Sequence, residues 1–135
     1  MSLVRLLPAW LHAIADYAVA AALIVVPLAA GGSDEAVAAG VVIGSVVAIV
    51  SMMTKYPLGV VKVLPFTIHS AGDYLATALL FLSPFALGFD GSDSGLSAFY
   101  LVAGVAVLGV SLITNYQYSP KRDWAPGRST AAATA

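Results

Sequence analysis

The feature that most constrains this chain is a series of four long stretches without a charged residue. They cover residues 17–33, 36–54, 74–89 and 94–120 of the 135. A helix needs about 20 mostly apolar residues to cross the ~30 Å hydrocarbon core of a bilayer. The stretches do not alternate between polar and apolar residues, as the strands of a membrane barrel do. We therefore predict an all-α polytopic membrane protein with four transmembrane helices, near residues 11–31, 36–54, 68–88 and 95–116.

The composition supports a membrane environment and excludes several functions. Hydrophobic residues make up 60% of the chain and charged residues 10%, whereas soluble domains carry roughly 25% charged residues. The chain has no cysteine, which excludes disulfides and thiolate sites. Its net charge of −1 argues against a nucleic-acid partner, which requires a basic face. The lipid bilayer is the partner that the composition predicts.

The charged residues also predict an orientation. The loops at 31–35 and 90–95 contain acidic residues and no basic one, while every basic residue lies before the first helix, in the central loop or in the tail. Loops rich in Lys and Arg stay on the cytoplasmic side. We expect a protein of the cytoplasmic (inner) membrane with both termini in the cytoplasm. The basic residues are Arg5, Lys55, Lys62, Lys121, Arg122 and Arg128.

The chain contains an internal repeat. Residues 5–17, RLLPAWLHAIADY, match residues 62–74, KVLPFTIHSAGDY, at an offset of 57. In the second helix of each half, Gly44, Ser51, Thr54 and Tyr56 match Gly104, Ser111, Thr114 and Tyr116 at an offset of 60. We predict two duplicated helical hairpins, at 1–60 and 61–120, related by a pseudo-two-fold axis along the membrane normal. The polar segment 121–135 is predicted to be a disordered cytoplasmic tail.

Residues 73–89, DYLATALLFLSPFALGF, resemble the first helix of the SPW-repeat family of small membrane proteins. That family carries Ser-Pro-Trp followed shortly by Leu-Gly-Phe on the first of two paired transmembrane helices. Here Phe85 replaces the tryptophan, and the first repeat has only Val26-Pro27-Leu28 and then Gly31. The resemblance implies a membrane-embedded repeat protein and assigns no reaction.

Each repeat places a His-x-x-x-Asp pair at the start of its first helix: His12 with Asp16, and His69 with Asp73. The i, i+4 spacing puts both side chains of a pair on one helical face. Charged groups inside a membrane are costly and usually face the interior of the bundle. If the two faces meet, the four residues form one cluster.

Three functions and one structural alternative are open for these residues. The four side chains could bind a divalent metal, or they could hold or relay protons. The two histidines could instead be axial ligands of one haem. In the structural alternative, Asp16 and Asp73 only accept hydrogen bonds from His12 and His69. The cofactor is thus unknown, with a divalent metal or haem as the candidates.

The sequence contains none of the phosphate-binding loops, G-x-S-x-G elbows or HExxH pairs that indicate an enzyme. We therefore favour a small structural or interaction bundle in the membrane, without identifiable catalytic machinery, in which a symmetric His/Asp cluster near the cytoplasmic side is a candidate ion or proton site. The alternative is a metal or haem redox protein ligated by His12 and His69. Gly40 and Gly44 form a small-residue face for helix packing, so association with a second copy or a larger membrane complex is a further expectation.

Overall fold

The computed structural model describes residues 3–117, and within them the chain forms four α-helices. Helix α1 is Ala9–Ala29, α2 is Asp34–Met53, α3 is Phe66–Ala86 and α4 is Ser94–Ile113. In this part of the chain the β-pairing is limited to two isolated bridges. The predicted all-α fold with four helices is confirmed. The predicted disordered tail lies outside the described residues.

Helices α1 and α3 begin slightly earlier than predicted, directly after Pro8 and Pro65. Proline is suited to the start of a helix because its φ is already helical and the amide hydrogen it lacks would have no partner there. The same helices end before Gly31 and Gly88, which have φ of 62° and 73°. A left-handed glycine after the last turn is a common helix stop. The boundaries are therefore set by proline at one end and glycine at the other.

Three of the described helices, α1, α2 and α4, are long and apolar enough to cross a membrane. Helix α3 has the same length as α1, 21 residues, but polar residues interrupt its apolar sequence. These residues are buried against the other helices, whereas the exposed large side chains of α3 are apolar. Its outward surface therefore remains compatible with lipid. The buried polar residues include His69, Asp73 and Thr77, and the exposed apolar ones include Ile68, Leu75, Leu79, Leu82 and Phe85.

The tightest packing lies within each hairpin, where α1 contacts α2 and α3 contacts α4. A Cβ added at Gly40 would lie 2.2 Å from the carbonyl oxygen of Leu23, and one at Gly44 would lie 2.8 Å from that of Ala20. The backbones of α1 and α2 can approach this closely only because these two positions carry no side chain. The small-residue face of α2 is therefore used to pack against α1 within the chain.

The end of the bundle where α1 and α3 begin is here called the basic end, because Arg5, Lys55 and Lys62 lie there. Two extended segments, 3–7 and 60–64, cross it in the same way. Residues 3–7 donate backbone hydrogen bonds to the last carbonyls of α4, and residues 60–64 do so to those of α2. The segments satisfy carbonyl groups that a helix end otherwise leaves unpaired. Every one of these bonds has its counterpart at the repeat offset, so the two repeats also match in structure.

The opposite end, here called the acidic end, carries a mostly apolar core. Leu23 and Leu80, which are equivalent positions of α1 and α3, are fully buried there. Tyr100 is buried with them and donates a hydrogen bond to the carbonyl of Ala36 at 2.5 Å. Its equivalent in the first repeat is Gly40, and a Cβ there would lie 2.7 Å from the Tyr100 hydroxyl. The symmetry is thus broken at this end, where one large side chain fills the space that two could not share.

Candidate functional site

The four predicted site residues come together between α1 and α3, toward the basic end. His12 and Asp16 lie on α1, and His69 and Asp73 lie on α3, all of them buried. One potential ligand atom from each of the four lies within 4.8 Å of all the others. Helix periodicity places each pair on one face, and the packing of the hairpins turns the two faces toward each other.

The two imidazoles meet through the same ring atom. His12 Nε2 and His69 Nε2 are 3.4 Å apart. Each Nε2 also contacts one oxygen of each carboxylate: His12 Nε2 lies 3.2 Å from Asp16 and 3.3 Å from Asp73. The corresponding distances for His69 Nε2 are 3.1 Å to both. Every contact in one repeat therefore has its equivalent in the other.

The second ring nitrogen of each histidine is held by a threonine that ends the second helix of the other hairpin. His12 Nδ1 lies 2.7 Å from Thr114 Oγ1, and His69 Nδ1 lies 2.8 Å from Thr54 Oγ1. Each threonine hydroxyl also donates to a carbonyl four residues earlier in its own helix, at 2.6–2.7 Å. A hydroxyl has one hydrogen, so the threonine must accept from Nδ1–H. In a neutral imidazole this leaves the lone pair on Nε2, directed into the cluster.

Two tyrosines hold the carboxylates. The Tyr56 hydroxyl donates to Asp16 Oδ2 at 3.0 Å, and the Tyr116 hydroxyl donates to Asp73 Oδ2 at 2.6 Å. Each tyrosine lies three residues after the last residue of a helix, α2 or α4. Burial, reinforced by the adjacent carboxylate, raises the pKa of Tyr56 and that of Tyr116. Both hydroxyls therefore keep their hydrogens at physiological pH and remain donors.

An aromatic layer separates the cluster from the basic end. Phe66, Tyr56 and Tyr116 are buried together with Ala9 and Ala13. The ring of Phe66 lies edge-on to His12 with centroids 5.3 Å apart and packs on Tyr116 at 4.8 Å. The layer covers the cluster on the side where water would otherwise reach it. The four close contacts between histidine and aspartate are thus made in a largely dry site.

The cluster presents an excess of acceptors. Both Nε2 lone pairs and both carboxylates face one another, and among residues 3–117 no Lys or Arg pairs with them. Buried acceptors at this spacing require positive charge between them. A divalent cation would neutralise the two carboxylates, and so would two protons on the imidazoles. The arrangement is therefore suited to holding either.

The sequence predicts the histidines and aspartates of the cluster but not the residues that orient them. In the sequence, the orienting residues stand out only as matched positions of the repeat. They are Thr54, Tyr56, Thr114 and Tyr116. That match is a usable signal, because a polar residue present at the same helix end in both repeats is a candidate for a shared role. Their contact with the histidines and aspartates depends on how the hairpins pack, which the spacing does not encode.

No family model, no curated protein and no solved structure matches this chain. The resemblance to the SPW-repeat family therefore stays a prediction. The class that the fold and the cluster define is an all-helical bundle with membrane-spanning character and a buried, symmetric His/Asp centre.

Proposed function

We propose that this chain is a protein of the cytoplasmic membrane whose two repeats are joined by one divalent transition-metal ion, most simply Zn²⁺, bound by His12, Asp16, His69 and Asp73. The observation that carries the proposal is the set of four buried acceptors converging on the symmetry axis. The metal would clamp α1 to α3. The activity is thus structural ion binding, and no catalytic step is assigned to the site.

The distances among the four groups support a tetrahedral metal. Zinc bonds to histidine nitrogen and carboxylate oxygen are ~2.0–2.1 Å long, which places the corners of a tetrahedral site about 3.3–3.4 Å apart. The separation of the two Nε2 atoms is 3.4 Å, and each Nε2 lies 3.1–3.3 Å from an oxygen of each carboxylate. Each carboxylate contacts the two nitrogens through different oxygens, so a bound metal would require the carboxylates to turn until one oxygen of each faces both nitrogens. A site with four protein ligands and no open position is typical of structural zinc.

The hydrogen bonds around the four residues also favour a metal. A metal-binding histidine usually donates its other N–H to an acceptor, and ligating carboxylates are themselves hydrogen-bonded. Thr114 and Thr54 accept from the two Nδ1 atoms, and the two tyrosines donate to the aspartates. This outer set fixes the tautomer that exposes Nε2 to the ion.

The membrane placement rests on the helices and on the charge distribution. α3 is proposed as a fourth span because it repeats α1 in length and its exposed large side chains are apolar. Both termini are proposed to be cytoplasmic because, among the described residues, the basic ones lie at one end of the bundle and the acidic ones outside the cluster lie at the other. The basic residues are Arg5, Lys55 and Lys62, and the acidic ones are Asp34, Glu35, Asp90 and Asp93. We also propose, from the resemblance of residues 73–89, that the chain belongs to the SPW-repeat family. Association with a second copy or a larger membrane complex is a separate proposal.

Haem is the less favoured cofactor. Two axial nitrogens on one iron need to be about 4 Å apart, twice the ~2 Å length of a metal–nitrogen bond, with the macrocycle between them. Here the Nε2 atoms are closer than that, and oxygens of both carboxylates contact both nitrogens. These oxygens occupy the space that a porphyrin would need.

Protons are the second candidate occupant of the cluster. Two imidazolium groups and two carboxylates would be electrically neutral, as is one divalent cation with two carboxylates. The short Nε2–Nε2 distance favours the metal, because two N–H groups would point at each other. A protein that binds no divalent metal at neutral pH would therefore favour the proton-holding alternative.

The decisive experiment is metal analysis of the protein purified in mild detergent. We expect about one divalent transition-metal ion per chain in the wild type and none in His12→Ala/His69→Ala, because two of four ligands are removed. The matched control is Ser83→Ala, which removes a buried hydroxyl bonded only within α3 and should keep its metal. A wild-type protein that neither contains nor binds added Zn²⁺ would overturn the proposal.

The orienting threonines give an independent prediction. In Thr54→Val/Thr114→Val, Nδ1 of each histidine loses its acceptor while the shape of the side chain is kept. Loss of such partners typically weakens metal binding by about 10–100-fold, and we expect a reduction in that range. Competition with a chelator of known affinity measures it. Affinity equal to that of the wild type would show that the threonines only end their helices.

A further inference from the structure

Two clefts lie between the hairpins, each of about 220 Å³. One is formed by α2 and α3 and reaches His69 and Asp73, and the other is formed by α1 and α4 and reaches His12 and Asp16. The residues that line them are related by the repeat, so the clefts are symmetric partners. Both open on the surface that the proposed topology places in lipid.

The clefts are apolar along most of their length. Val46, Val50 and Leu79 line the α2/α3 cleft on its way from the His/Asp pair toward the acidic end. The α1/α4 cleft is continued by a second apolar space of about 250 Å³. The two spaces share Ala18 and Ala106 in their walls. A cavity of ~150 Å³ holds benzene. Each cleft therefore has room for a substituted six-membered ring, with an apolar groove beyond it for a tail.

The polar end of each cleft offers an acceptor. The histidine side chains are 1–2% exposed, whereas those of Asp16 and Asp73 are 10% and 11% exposed. Within residues 3–117, Oδ2 of each aspartate contacts a histidine and a tyrosine, whereas Oδ1 contacts one histidine. A carboxylate oxygen can accept two hydrogen bonds. Oδ1 therefore keeps one acceptor position, and the group that fits it is a hydroxyl donor.

We propose that each cleft binds a membrane-soluble phenol or quinol. The ring fills the space beside the His/Asp pair, its hydroxyl donates to Oδ1 of Asp73 or Asp16, and its alkyl tail follows the groove. Ligand sites of this kind are mostly apolar with a few polar groups that fix orientation. The proposal concerns binding alone and requires the carboxylates, not the metal.

Gly72 allows the α2/α3 cleft to be closed selectively. It lines the cleft, and a Cβ added there would meet nothing within 4 Å. Gly72→Leu therefore fills the cleft without disturbing the backbone. Gly109→Leu is the matched control, because Gly109 is an exposed helical glycine with equally open surroundings and lines neither cleft.

The experiment measures binding of radiolabelled decylphenol to the protein in phosphatidylcholine nanodiscs, with protein-free nanodiscs as background. We expect two saturable sites per chain in the wild type and in Gly109→Leu, and one in Gly72→Leu. Decylbenzene, which lacks the hydroxyl, should compete at least about tenfold more weakly than unlabelled decylphenol. Asp73→Asn should weaken binding in the same cleft.

Three results would overturn the proposal: no binding above the nanodisc background, equal competition by decylbenzene, or equal binding by the two leucine variants. Equal competition by decylbenzene would mean that the clefts only accommodate apolar chains such as those of lipids. Metal content is measured on the same samples. A wild type that neither contains metal nor binds added Zn²⁺, but binds decylphenol as expected, would reject the metal site and leave the cleft proposal intact.

Discussion

Replacing both carboxylates, in Asp16→Asn/Asp73→Asn, is expected to weaken divalent-cation binding by more than about a thousandfold. Asparagine keeps the size of the side chain and can still accept from the tyrosines, so the bundle should fold. The two negative charges that neutralise the ion are lost. Removing one partner of a buried charge pair costs ~3–5 kcal/mol, and each 1.4 kcal/mol is about tenfold in affinity.

The single variants serve as controls for each other. Because the contacts of Asp16 and Asp73 are equivalent, each substitution alone should weaken binding by about a hundredfold. Chelator competition gives the affinities, and the visible spectrum of the cobalt-substituted protein reports the coordination geometry. Unchanged affinity in the double variant would place any bound metal elsewhere. A large loss in only one single variant would contradict a symmetric site.

A large loss of stability is expected from Gly40→Ala. The new Cβ would lie 2.2 Å from a backbone oxygen, that of Leu23, and 2.7 Å from the Tyr100 hydroxyl. A backbone atom cannot move aside as a side chain does, so α2 must shift away from α1. Overpacking typically costs ~1–3 kcal/mol, and we expect about 3 kcal/mol here. Unfolding in detergent mixtures, followed by circular dichroism, measures the free energy.

Gly109→Ala is the matched control for this substitution. It replaces an exposed glycine within α4, four residues before the end of the helix, whose surroundings are open. Alanine in a helix is favoured over glycine by ~0.5–1 kcal/mol, so this variant should be slightly more stable than the wild type. If both variants had the same stability, close contact between α1 and α2 would not determine the packing of the first hairpin.

Much of the fold could be predicted because hydropathy and the helix-bounding effects of proline and glycine are local properties of the sequence. Long apolar runs require helices in a membrane, and Pro8, Pro65, Gly31 and Gly88 act on their immediate neighbours. The predicted helices differ from the observed ones by one to three residues at their ends. The conformation of segments 3–7 and 60–64 at the basic end was harder to predict from the sequence. Their hydrogen-bond partners are carbonyls at the ends of other helices, and apolar patterns do not indicate such pairing.

For the site, the sequence by itself determined the pairs: the spacing of His12 with Asp16, and of His69 with Asp73, places each pair on one helical face, and the repeat puts both pairs at the same level. Whether the pairs meet depends on the lateral order and rotation of the helices, which hydropathy leaves undetermined. Only the tertiary structure brought the two Nε2 atoms to 3.4 Å. It also added the threonines and tyrosines, whose role arises from packing between elements distant in the sequence.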